Sequence, residues 1–162
     1  MSFADHIRAC NSFDRRRVVP LVAGPQRIGW LLRDNAAALK GKIVVDASNP
    51  VVRRDGDVAQ EAMTNGIGPT SLKYLQGVRY VRAFNPVGMG SLGAPTGGTP
   101  IGMPVAGDDP QAVKTAIQLV REAGVEPVVL PLSRAKDFAP GTPIFGRATP
   151  VDELRKYFGV TQ

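Results

Sequence analysis

The chain has 162 residues, 43% of them hydrophobic and 21% charged, which is the size and composition of one globular domain rather than of a disordered segment. One Cys and one His exclude a disulfide framework and a zinc site built from several Cys and His, and no apolar run approaches the roughly 18 residues of a membrane helix. The net charge of +6 is concentrated at the start, where residues 1–40 hold seven Lys and Arg against three Asp.

Residues 1–17 show neither helical nor strand period and read as a solvated leader, with Arg15-Arg16-Arg17 at its end. No aromatic-rich sheet or recognition helix follows, so neither nucleic acid nor membrane is expected as a partner, and the cytoplasm is the expected compartment. The domain itself is expected over residues 18–162. Val18 to Ala23 reads as a short buried strand, with Pro20 favouring an edge position. After the Gly24-Pro25 turn, Ile28, Leu31, Leu32 and Leu39 recur at helical spacing, and Gly41 stands at the stop. Ile43-Val44-Val45 is the second strand, so the connection has the length of a βαβ crossover.

Past Pro50 the chain is expected to loosen through Arg53-Arg54-Asp55-Gly56-Asp57, before a short helix from Val58 to Met63. Tyr80 to Phe84 is a third strand and Ile101 to Ala106 a fourth, with Pro104 suggesting an edge or a bulge. Asp109 is placed to cap a helix whose first residue is Pro110; Val113, Ala116, Ile117 and Val120 form its apolar stripe, and Gly124 its C′ residue. Val125 to Leu130 gives a fifth strand, and Val151 to Phe158 a terminal helix. Strands alternating with helices predict an α/β fold, a largely parallel sheet with helices on both faces.

In such sheets ligands lie beyond the carboxyl ends of the strands. Two predicted strand ends carry one phrase, Ala47-Ser48-Asn49-Pro50 and Ala83-Phe84-Asn85-Pro86. Pro holds each Asn in extended backbone, so each end presents a carboxamide able to donate and accept. Gly88-Met89-Gly90-Ser91-Leu92-Gly93 matches a dinucleotide fingerprint literally, but Ala94-Pro95-Thr96-Gly97-Gly98 forbids the helix that motif must open. It reads instead as a glycine-rich loop over the crevice. His6 and Cys10 lie in the leader, and helix capping accounts for Asp108 and Asp109, so no catalytic side chain and no metal ligand is assigned. What remains is chemistry supplied by cofactors, with hydride transfer the leading case.

The segment from Leu39 to Pro50 resembles the fifth-strand region of the NADP-dependent oxidoreductases that use the deazaflavin coenzyme F-420. Val81-Arg82-Ala83-Phe84-Asn85 is similar to that family's next strand, and Pro104-Val105-Ala106-Gly107-Asp108-Asp109 to its signature before the penultimate helix. Pro131-Leu132-Ser133-Arg134-Ala135 is similar to its closing segment, although Leu130 stands where the family carries Gly. The resemblance implies a Rossmann-like domain with a small C-terminal extension, passing hydride between NADP(H) and the deazaflavin or a related small-molecule redox co-substrate. By that resemblance Ala23, Ser48, Asn49, Pro50, Ala83, Phe84 and Asn85 line the nicotinamide, and Gly88 opens the loop near the second substrate. The family's opening strand, glycine-rich turn and helix are not matched, so the expectation is a domain lacking its N-terminal half. A homo-oligomer formed through the exposed Val18 to Ala23 edge is expected with it. The competing reading is a non-enzymatic half-domain that acts through self-association or a partner.

Overall fold

The computed structural model describes residues 18–21, 36–88, 92 and 98–161. The leader, Ala23 and most of the first predicted helix lie outside the described residues. Short β-branched runs make the strands: β1 (Val18–Leu21), β2 (Ile43–Asp46), β3 (Arg79–Arg82), β4 (Gly102–Gly107) and β5 (Glu126–Leu130). They form one sheet in sequential order. β1–β2, β2–β3 and β4–β5 pair in parallel, and β3–β4 is antiparallel. The predicted largely parallel α/β sheet is observed.

Side-chain alternation along the strands divides the core in two. Ile43, Val45, Val81, Met103 and Val105 pack with Ala112, Ala116, Leu119 and Val120 of helix α4 (Pro110–Glu122). On the other face Val44, Tyr80, Ala106, Val128 and Leu130 meet a second layer. That layer holds α2 (Asp57–Asn65), α3 (Ile67–Tyr74), a 3-10 helix (Leu132–Phe138) and α5 (Val151–Phe158). The start of α4 follows its sequence signals: the Asp109 side chain accepts from the Ala112 amide at 2.8 Å, and Gly124 takes φ 76 just past the end.

Several expectations need correction. Residues 52–55 form a helical turn, α1 (Val52–Asp55), rather than a loosened stretch, because Asp55 Oδ2 accepts from the Val51 amide at 2.9 Å and closes it. The helix predicted from Val58 to Met63 runs over the whole of α2, while α3 and the 3-10 helix were not anticipated. The buried stripe of α4 is centred on Ala112, Ala116, Leu119 and Val120, leaving Val113 and Ile117 half-buried. The third strand stops at Arg82 rather than Phe84.

Pro104 is neither at an edge nor in a bulge; β4 lies between β3 and β5. The Gly102 amide donates away from β5, to Thr149 O, so by strand alternation the Pro104 nitrogen faces the same way, toward β3. Pairing with β3 reaches only Ala106 and Gly107, so the missing N–H of Pro104 costs no ladder bond.

Candidate functional site

β2 and β3 run parallel with Asp46 and Arg82 as register partners, which carries the two Asn-Pro phrases to neighbouring strand ends. The two amides touch. Asn49 Nδ2 donates to Asn85 O at 3.0 Å, and Asn85 Nδ2 donates to Phe138 O at 3.0 Å and to Asn49 Oδ1 at 3.4 Å. Asn85 is buried and Asn49 half-buried, and Asn85 Oδ1 has no hydrogen-bond partner among the described residues.

Beneath the amides lies a charged cluster that the sequence reading missed. Asp46 and Arg82 are both 0% exposed and pair at 3.3 Å. Asp46 Oδ1 accepts from the Ser48 amide at 2.8 Å and from its hydroxyl at 2.5 Å; Oδ2 accepts from Ser71 Oγ at 3.4 Å and from the Tyr80 hydroxyl. Arg82 Nη2 donates to Ser48 O at 2.8 Å and to Asn49 Oδ1 at 3.3 Å. The guanidinium thereby turns the Asn49 carboxamide so that its NH₂ meets the Asn85 carbonyl. Burial first, and then the neighbouring Asp46 carboxylate, push the Tyr80 phenol well above its ordinary value of 10.0. From outside, Arg54 Nη2 donates to Asn49 O at 2.8 Å while its guanidinium also grips Asp55.

The other predicted residues are placed differently. Ser48 joins the cluster through Asp46, and Pro50 stands half-buried beside it. Ala83 and Phe84 are buried in the core on the α4 side, so only their backbone is available to a ligand. Phe84 has φ 67, and a positive φ at a bulky residue marks backbone held by its surroundings. Gly88 is exposed, while the rest of the glycine-rich loop lies almost wholly outside the described residues, as does Ala23. Asp108 does more than start a helix: its Oδ1 accepts from the Leu132 amide at 2.9 Å and ties down the 3-10 helix. Asp46 and Arg82 carried one legible signal, a charge at the same point of two apolar strands, but only the register shows that they pair.

No protein-family model matches the chain, and no curated protein matches its sequence. Among solved structures, a hypothetical protein from Sinorhizobium meliloti superposes with a TM-score of 0.59 at 21% identity, over 74% of this chain and 61% of that one. A protein from Arthrobacter sp. FB24, provisionally named an F-420-dependent NADP-reductase, superposes with a TM-score of 0.54 at 22% identity, over 67% of this chain and 52% of that one. The fold is Rossmann-like. At these identities the likeness is one of fold, and the chain spans 61% and 52% of the lengths of these two proteins. No helix among the described residues is long and apolar enough to cross a membrane.

Proposed function

We propose that the chain is an oxidoreductase-family domain that passes hydride between NADP(H) and a deazaflavin or similar redox acceptor. The observation that carries this reading is the meeting of Asn49 and Asn85 at the carboxyl ends of two neighbouring parallel strands, where Rossmann-like sheets receive their ligands. The provisional name of the Arthrobacter structure and the sequential parallel order of β1, β2 and β3, which half of a doubly wound sheet shares, point the same way.

The residues present fit one end of the dinucleotide. Asn85 Oδ1 is a buried acceptor without a partner among the described residues, which matches the amide N–H of a nicotinamide carboxamide. Asn49, held by Arg82, offers a second carboxamide beside it. When bound, the dinucleotide supplies the hydride; the protein holds the ring and keeps water from it. For the pyrophosphate end the sequence provides no G-x-G-x-x-G turn that leads from a strand into a helix. NADPH is therefore expected to bind this chain alone in the high micromolar range or weaker, since one helix-end contact with an anion contributes up to ~2 kcal/mol.

The test is to mix the chain with NADPH and oxidised deazaflavin and to follow NADPH absorbance. Protein-dependent loss, slowed about tenfold or more by Asn85→Leu, is the expected result; tenfold corresponds to ~1.4 kcal/mol. The non-enzymatic reading has one observation in its favour: the Asn49 and Asn85 amide groups already bond protein carbonyls and so tie loops together. Turnover indistinguishable from buffer, with no thermal shift at millimolar NADPH, overturns hydride transfer and leaves that structural role.

A further inference from the structure

On the face of the sheet away from α4, a cleft of about 540 Å³ opens between the α2–α3 elbow and the 3-10 helix. That volume lies within the range of small-molecule sites. Its wall is mostly apolar, with Pro50, Met63, Ile67 and Leu132 prominent. Two glycines shape it. Gly66 turns the chain sharply at φ 88, and Gly68 lies so close to Leu132 that an added Cβ would come within 3.0 Å of it, so α3 and the 3-10 helix are already in contact at the floor. Met63 is left 65% exposed on the rim.

The formal charge in the cleft has one sign. Lys136 is the single charged side chain among its described lining residues, and none of them is a carboxylate. α3 begins within the lining, and its first amides have no side-chain cap because the capping position is Gly66. The partial positive charge of that helix start therefore adds to that of Lys136 within a mostly apolar cleft. We propose that this cleft binds a small anionic molecule with a flat apolar body, its carboxylate, sulfonate or phosphate lying toward Lys136 and its body against Met63 and Leu132. Pro50 is common to this cleft and the strand-end site, but Lys136 and Thr64 belong to the cleft alone, so their variants test it separately from hydride transfer.

The probe is 8-anilinonaphthalene-1-sulfonate, compared with N-phenyl-1-naphthylamine, which has the same body without the charge. The chain contains four methionines, so ¹³C-methyl methionine labelling gives a sparse spectrum in which Met63 reports the cleft and the fully buried Met103 reports the core. The sulfonate is expected to shift the Met63 methyl saturably and leave Met103 in place. Removing the charge from the probe, or introducing Lys136→Ala, should weaken binding about fivefold or more, within the range of one charge contact. Thr64→Trp, a change at an exposed helical position in the wall, should abolish the Met63 shift without moving the thermal midpoint of the free protein. Shifts elsewhere with Met63 unmoved would overturn the proposal. So would equal affinity for the two probes, or binding indifferent to both substitutions.

Discussion

Asp46 and Arg82 face each other across β2 and β3 with both side chains out of water, and each end of the pair also bonds the phrase that carries Asn49. A buried ion pair adds little net stability relative to apolar packing, but stranding one partner costs about 3–5 kcal/mol. Arg82→Met should lower the unfolding free energy by about that much in urea titrations. Adding Asp46→Asn should restore part of the loss, because the remaining amide carries no charge; additive losses in the two variants would show that the pair is not coupled. Tyr80 makes a second prediction. Its pKa is raised in the folded state, so the folded protein keeps the phenolic proton where the unfolded chain releases it. That contribution is whole below about pH 10, the unfolded value, and is lost as pH rises toward the folded one. Tyr80→Phe is expected to be less stable at neutral pH yet to lose less stability between about pH 9.5 and 11 than the parent. Parallel pH profiles for the two proteins would contradict this.

Among the elements, α5 depends on a glycine outside it. An added Cβ at Gly102 in β4 would lie 2.7 Å from Leu154 Cδ2 and 3.0 Å from the Val151 Cα, so backbone as well as side chain would have to move. Gly102→Ala should destabilise by about 1–3 kcal/mol, the cost of overpacking, read as a lowered denaturation midpoint with an unchanged slope. Helices differ in how far local signals announce them. α4 was legible because Asp109, Pro110 and Gly124 act within a few residues of the backbone they cap. α3 was not, because it contains Gly68 and Pro69, two poor helix formers. Pro69 is tolerated in the first turn, where its missing N–H has no helical acceptor, and Ser71 and Leu75 anchor the helix to the sheet. The 3-10 helix likewise begins on a bond from Leu132 to Asp108, which is 24 residues away in sequence.

For the molecule as a whole, β1 stands last in the strand order and pairs only with β2 among the described strands. A terminal strand offers unpaired backbone groups to another chain, and Pro20 removes only one donor from it. At the other end β5 is better protected, since Pro127 falls at an outward-facing position of a short strand. We propose self-association through β1. Light scattering during chromatography at high protein concentration is expected to give about twice the chain mass of 17.2 kDa. A sharp monomer peak would remove the proposal.

The sequence by itself determined the five strands to within a few residues, the caps of α4, the terminal helix and the α/β class. Those follow from hydrophobic period and from bonds between near neighbours, which any stretch of chain carries with it. It also placed Asn49 and Asn85 at strand ends. Tertiary structure alone decided that these ends are neighbours, that Asp46 and Arg82 join beneath them, that Pro104 can sit inside the sheet, and that the α2–α3 elbow leaves a cleft. Each of these depends on strand register and on which side of β4 the ladder runs, and register is settled by contacts between residues 24 to 53 positions apart, across which sequence period carries no phase.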